Sequence, residues 1–288
     1  MRYFFLFLAL SLGAFFLFSL PSFPRAPQKY LYSQKGQLPL LISVPHDGGN
    51  TLPIPPRRNP QKYKDFLSTR DLYTANLAKE IHLYLRRMTR KSPYLLIQLV
   101  HRKYCDPNRP PQRAYEHPLA KNVYKRYHQT LQRYIKEIRQ KFGYGLLIDL
   151  HGQKSLPADI YLGTQGGKTL RSAIRRHGRK IWLGKQSLSH LLHTRKYTTP
   201  LSKSYWIPHP RKPSQKVLLP SLLSQKKFNG GFIVQNYGSH RPNGIDAIQL
   251  EVHQRLRFSK KKRRQLAKDL AKLLLKFLDF LRANSSKF

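Results

Sequence analysis

Apolar and polar positions alternate between two periods along the chain. Largely apolar runs of six or seven residues stand at 39–44, 94–100 and 145–150, each bounded by Gly, Pro, Asp or His. Runs of this length and setting predict strands buried on both faces. Shorter runs at 159–162, 232–235 and 247–252 predict further strands. Between them the period changes to that of a helix. Residues 68–87 place Leu72, Ala75, Leu77, Ala78, Ile81 and Leu85 on one face, with Ser68 or Thr69 as N-cap. Residues 120–142 do the same with Val123, Tyr127, Leu131, Tyr134 and Ile138. Helices are also expected over 169–179 and 261–283, the latter turning Leu266, Leu270, Leu273, Leu274, Phe277 and Leu281 inward. Strands alternating with helices predict an α/β fold around a largely parallel sheet.

The N-terminus breaks this pattern. Tyr3 to Leu20 is apolar and uncharged. Eighteen residues of helix span roughly 27 Å, near the roughly 30 Å of a bilayer core. The segment ends in Ser19-Leu20-Pro21-Ser22-Phe23-Pro24 with no small-residue cleavage site. Residues 1–25 are therefore expected as one apolar helix, either a signal peptide or an uncleaved anchor. Both readings place the remainder outside the cytoplasm: periplasmic, secreted or membrane-anchored. Residues 26–38, rich in Pro and base, are expected as a linker, and 39–288 as a single domain. The least periodic stretch, 163–230, is read as an insertion or lid within it.

Composition changes the picture in two ways. The chain has 288 residues, with 54 Lys and Arg against 13 Asp and Glu, a net charge of +41. Its hydrophobic content of 40% is too high for a disordered polycation. The charge favours anionic polymers or surfaces, but no helix-turn-helix, zinc finger or ribonucleoprotein motif supports sequence-specific nucleic-acid reading. A single cysteine, Cys105, excludes an internal disulfide and a Cys₄ zinc site.

The few acids are placed informatively. In open α/β sheets, ligands bind beyond the carboxyl ends of the strands. There the chain carries Ser43-Val-Pro-His46-Asp47, then Arg102 to Asp106-Pro-Asn108-Arg109, then Asp149-Leu-His151-Gly152, and Gln249-Leu-Glu251-Val-His253. Asp159 lies just beyond another strand. Two histidines with a carboxylate make a three-ligand zinc site. Asp149 lies two residues from His151, on the same strand face, and could orient it from behind. Glu251 is a candidate general base. Arg102 and Arg109 could clamp a carboxylate, and Asn108 could donate to a carbonyl oxygen. Each residue also has a plainer reading. Asp149 and His151 form a hydrogen-bonded pair, His46 and Asn108-Arg109 are turn residues, and Glu251 is an ion-pair partner of Arg255 or Arg257.

Taken in order, these pieces resemble the N-formylglutamate amidohydrolase family. The matching residues are Ser43-Val-Pro-His46-Asp-Gly48, Arg70-Asp71-Leu-Tyr73, Arg102 with Asp106-Pro-Asn108-Arg109, Asp149-Leu-His151-Gly152, Asp159 to Thr164, and Gln249-Leu-Glu251. The resemblance implies a three-layer α/β/α, phosphorylase/hydrolase-like fold with a mixed sheet, related to zinc carboxypeptidases and aspartoacylase. It implies one zinc per chain, held by His46, His151 and Asp71. The position three after His46, a Glu ligand in carboxypeptidases, is Gly49 here, so Asp47 stays open beside Asp71. The resemblance further implies Glu251 as base and Asn108, Arg109 and Arg102 as substrate-carboxylate contacts. The expected activity is hydrolysis of an N-acyl amino acid, or a related amide or peptide, that bears a free carboxylate. Two other readings stand beside it: a basic binding module on an inactive hydrolase fold, and a carboxypeptidase-like peptidase.

Overall fold

The computed structural model describes residues 30–57, 66–155, 157–200, 206–209, 212–218 and 229–282. The apolar segment at 3–20 lies outside these residues. Among the described residues, no helix is long and apolar enough to cross a membrane.

The chain runs β1 (Leu31–Gln34), β2 (Leu40–Val44), α1 (Thr74–Thr89), β3 (Tyr94–Gln98), α2 (Pro111–Ala114), α3 (Pro118–Phe142), β4 (Leu146–Gln153) and β5 (Ile160–Gly163). A 3-10 turn at Lys168–Leu170 leads to α4 (Arg171–His177), α5 (Lys180–Leu183), α6 (Leu188–His193), β6 (Trp206–His209) and β7 (Lys212–Leu218). Then come α7 (Phe232–Tyr237), β8 (Asp246–His253), α8 (Gln254–Arg257) and α9 (Lys260–Arg282). Six strands form one mixed sheet in the order β1-β3-β2-β4-β8-β5, and β6 and β7 pair separately. The inner four strands are parallel, while β1 and β5 run antiparallel at the edges.

Side chains alternate across this sheet, and the alternation decides where the chemistry lies. Leu40, Ile42 and Val44 of β2, Leu146, Ile148 and Leu150 of β4, and Ile248, Leu250 and Val252 of β8 share one cluster with Leu77, Ile81 and Leu85 of α1 and the apolar stripe of α9. On the opposite face Leu41, Leu96, Leu147 and Ala247 pack against Tyr127, Leu131 and Ile138 of α3 and Ile233 and Val234 of α7. The polar residues Ser43, Asp149, His151, Gln249 and Glu251 occupy the α3 side of their strands, because they differ from Leu41, Leu147 and Ala247 by even steps. Register aligns them into two rows. Ser43 pairs with Asp149 and Asp149 with Gln249, and His151 pairs with Glu251 one step further up.

Several expectations are corrected. The stretch expected as a linker contributes β1, which closes the sheet edge against β3. Helix α1 begins six residues later than expected, with Tyr73 at φ 66° and neither Ser68 nor Thr69 as cap. The intervening residues stay out of the helix, with Asp71 tied to the first loop by its N–H donating to the His46 carbonyl at 3.1 Å. Residues 232–235, expected as a strand, lie instead in helix α7. Their apolar run fits either state, and here Asn108 Oδ1 accepts from Ile233 N at 2.9 Å, satisfying a first-turn amide. Strand β4 continues to Gln153, so His151 sits in a strand and not in the loop after it. The segment after β5 includes short helices whose Ala173, Ile181, Leu191 and Leu192 join the main core.

Candidate functional site

Three of the expected residues meet. His46 follows β2, Asp71 precedes α1 and His151 lies in β4, and all three are buried. One ring nitrogen of each histidine and one Asp71 oxygen lie within 4.8 Å of one another. Asp71 Oδ2 is 3.3 Å from His46 Nδ1 and 3.2 Å from His151 Nδ1, and accepts from Gly152 N at 3.2 Å.

The opposite ring nitrogens are held from behind. His46 Nε2 donates to Asp106 Oδ1 at 2.7 Å, and His151 Nε2 donates to Asp149 Oδ2 at 2.8 Å. A carboxylate behind each ring holds the proton on Nε2 and turns Nδ1 of each ring toward Asp71. Asp149 is itself fixed by Ser43 Oγ at 2.8 Å, which also meets the buried Tyr127 hydroxyl at 2.7 Å. Asp106 accepts from Arg102 Nη2 at 2.6 Å and from Asn108 N at 3.0 Å.

Charge balance follows this geometry. Burial by itself raises the Asp71 carboxyl, but its hydrogen bonds to His151 and His46 hold it well below the usual range. Asp106 is likewise raised by burial and held well below by Arg102 and His46. Burial opposes charge on His151, yet Asp149 and Asp71 keep its pKa well above the usual imidazole value. Glu251 behaves differently. Burial pushes it up to about 8, His151 opposes that shift, and the Asp71 and Asp149 charges add to it. Its Oε1 accepts from Gln249 Nε2 at 2.8 Å, and Gln249 Oε1 accepts from Gly231 N at 2.6 Å. Neither Arg255 nor Arg257 is its ion-pair partner: Arg255 binds Asp159, and the Arg257 guanidinium donates to the Val252, Leu72 and Gln153 carbonyls.

Asp47 stands apart from the three. Its Oδ2 accepts from Ala75 N at 2.8 Å, capping α1, and its backbone carbonyl accepts from Arg70 Nε at 2.9 Å. Asp159 is also remote, accepting from Thr198 and Arg255 beside β5. Asn108 is buried, with Nδ2 3.2 Å from His151 Nε2. Gly231 is what permits this approach, since a Cβ there would sit 2.4 Å from Asn108 Nδ2. Arg109 is half-buried on the same loop, its Nη1 donating to the Asn108 carbonyl at 3.0 Å. Arg102 is 3% exposed, which leaves it little freedom to reach a ligand. Its Nε and Nη2 are spent on Asp106, and its Nη1 is 3.8 Å from Asp71.

Sequence reasoning assigned no role to Asp106, Gln249, Ser43 or Tyr127. Gln249 and Ser43 carried a signal, since each is a polar residue inside an otherwise apolar strand. Asp106 also stood among the acids at strand ends, but nothing in the sequence pointed to His46 as its partner, 60 positions away.

A donor set of two imidazole nitrogens and one carboxylate oxygen, each imidazole backed by a second carboxylate, fits a divalent zinc-type ion. A curated N-formylglutamate deformylase from Pseudomonas putida is 26% identical over 265 residues, covering 78% of this chain and 84% of the relative. The crystal structure of an N-formylglutamate amidohydrolase from Ralstonia eutropha JMP134 superposes with a TM-score of 0.55 at 17% identity, covering 88% of this chain and 99% of that one, and so shares the fold. A sequence model of the N-formylglutamate amidohydrolase family matches residues 113–257, half of the chain and the stretch that holds Asp149, His151 and Glu251. This chain belongs to the N-formylglutamate amidohydrolase family.

Proposed function

We propose that this protein is a zinc-dependent amidohydrolase that cleaves the acyl–nitrogen bond of an N-acyl amino acid carrying a free carboxylate. The observation that carries the reading is the convergence of His46 Nδ1, His151 Nδ1 and Asp71 Oδ2, with Asp106 and Asp149 behind the two rings. These three would hold the metal, and Asp47, spent on the α1 N-terminus, would not. A bound zinc supplies Lewis acidity, polarising the acyl carbonyl and favouring ionisation of water.

Glu251 takes a proton from the attacking water and returns it to the departing amine, so the C–N bond breaks and a carboxylic acid and an amine leave. Its raised pKa suits both steps, since a carboxyl that titrates near neutrality can accept and then give up a proton. Asn108 presents an amide N–H where charge develops on the acyl oxygen. Arg109 attracts the substrate carboxylate. Arg102 supports the site from behind by fixing Asp106.

The resemblance names N-formylglutamate, and because the apolar segment at 3–20 would direct this chain outside the cytoplasm, a substrate of the same chemistry met there is also a candidate. The test is a panel of N-formyl and N-acetyl amino acids, with glutamate among them, and short peptides, each assayed before and after dialysis against a chelator. Hydrolysis of an N-acyl acid that is lost on chelation and restored by zinc, at about one zinc per chain, is expected. Turnover unaffected by chelation overturns the metal role. Hydrolysis of peptides alone favours a peptidase. No turnover of any compound, with salt-sensitive polyanion binding, favours a binding module.

A further inference from the structure

The charge of the chain has a geometry on the sheet face opposite the site. Helices α1 and α9 lie side by side there, burying their apolar stripes in the main core. On its outer side α9 carries Lys260, Arg264, Lys268, Lys272 and Lys276, all exposed and each four residues from the next. Such a row runs along one helix face for roughly 24 Å. Like charges at this spacing repel and cost helix stability. Among the described residues, none of the five has a carboxylate within ion-pair distance. The acids on or beside α9 are engaged elsewhere: Glu80 pairs with the buried Arg263, Asp269 accepts from Tyr197 and Gln265, and the exposed Asp279, past the end of the row, pairs with Arg282.

Helix α1 extends the same face. A shallow groove of about 560 Å³ is lined by Tyr84 of α1 and Lys260, Lys261, Arg264, Gln265 and Lys268 of α9. Toward the end of α1 stand Arg86, Arg87 and Arg90, and among them Leu83 and Met88 are 48% and 41% exposed. A broad cationic face with apolar side chains set among the charges fits a surface whose headgroups are anionic and whose interior is apolar.

We propose that the α1–α9 face lies against an anionic lipid bilayer, with the site on the other side of the sheet. Two observations favour a bilayer over a flexible polyanion. The chain carries its own bilayer-length apolar segment at 3–20. The face is also wide, formed by two adjacent helices. The opposite face, where α3 exposes Lys121 and Lys125, is basic as well, and a bilayer can touch only one of the two faces while a polymer can wrap both.

The experiment uses the full chain in vesicles of phosphatidylcholine alone and of phosphatidylcholine with phosphatidylglycerol, so that the apolar segment is present in both. Lysine acetylation rates are read site by site. Acetylation of Lys268, Lys272 and Lys276 should slow about fivefold or more in the anionic vesicles, with Lys121 and Lys125 unchanged and the effect lost at high salt. A quadruple variant, R264Q/K268Q/K272Q/K276Q, should fold, keep its hydrolytic rate, and lose the slowing at Lys260–Lys262. Equal rates in the two vesicle types overturn the proposal. So does protection of both faces by DNA or heparin with none by anionic vesicles, which assigns the charge to a polymer.

Discussion

His46 Nε2 donates to Asp106 Oδ1 at 2.7 Å, and Asp106 is held in turn by Arg102 Nη2 at 2.6 Å. This buried chain aims the other nitrogen of His46 at Asp71. Asp106→Asn keeps the shape and removes the charge, and zinc affinity should fall 10–100-fold, roughly the cost of losing such a partner. Competition against a chromophoric chelator measures it. Undiminished affinity would mean that Asp106 serves only to neutralise Arg102.

The two acids left open by the sequence separate cleanly. Asp47→Ala removes the acceptor for Ala75 N and should cost about 1 kcal/mol in urea unfolding, with zinc content unchanged. Asp71→Ala should lose the metal. Metal analysis of the two purified variants decides, and the reverse pattern would exchange their roles.

Glu251→Gln should retain zinc and fold while kcat/KM falls roughly 10²–10⁴-fold, the range for removing a general base. Gln249→Leu takes away the donor to Glu251 Oε1 and the acceptor for Gly231 N. A fall in kcat of about tenfold with little change in KM is expected if Gln249 positions the base. A change in KM alone would place Gln249 in substrate binding instead.

Gly231→Ala puts a methyl 2.4 Å from Asn108 Nδ2, so the loop or the amide must move. Overpacking of this kind costs about 1–3 kcal/mol. It should also depress kcat, since Asn108 shifts relative to His151. Full activity would show that Asn108 acts only through its bond to Ile233 N.

His128 links stability to pH. Its Nδ1 accepts from the Tyr237 hydroxyl at 2.7 Å and its Nε2 donates to the Pro107 carbonyl at 3.1 Å, a pairing that needs the neutral ring. Burial lowers its pKa to about 4. The unfolded chain binds the proton near pH 6.5 and the folded chain does not, so this contribution is complete above that value and is lost as pH falls from about 6.5 toward 4. The full effect is on the order of 3 kcal/mol. Urea unfolding at pH 7.5 and pH 5 should show the loss, and His128→Gln should flatten it. An unchanged slope would place the acid sensitivity elsewhere.

The residues of the site were legible because local pattern is enough to find strand ends. The apolar run at 39–44 leads into His46 and Asp47 and that at 145–150 into His151, and the order of the pieces carried the family resemblance. Helix α9 was equally plain, since its leucines repeat at helical spacing over six turns. Residues 232–237 were not. Four apolar residues suit a strand or a helix, and the choice was made by Asn108 Oδ1 accepting from Ile233 N, a contact between positions 125 apart.

The sequence by itself determined the alternation of strands and helices, the polar residues at the strand ends and the excess of positive charge, because each depends on the spacing of residue types along the chain. Only the tertiary structure decided that Asp71 and not Asp47 faces the two imidazoles, that Asp106 backs His46, that Arg102 is spent inside the protein, and that among the described residues the basic row of α9 meets no carboxylate. Those outcomes depend on which distant groups share a buried space. There, desolvation drives most donors and acceptors to find a partner, and periodicity along the chain carries no record of that choice.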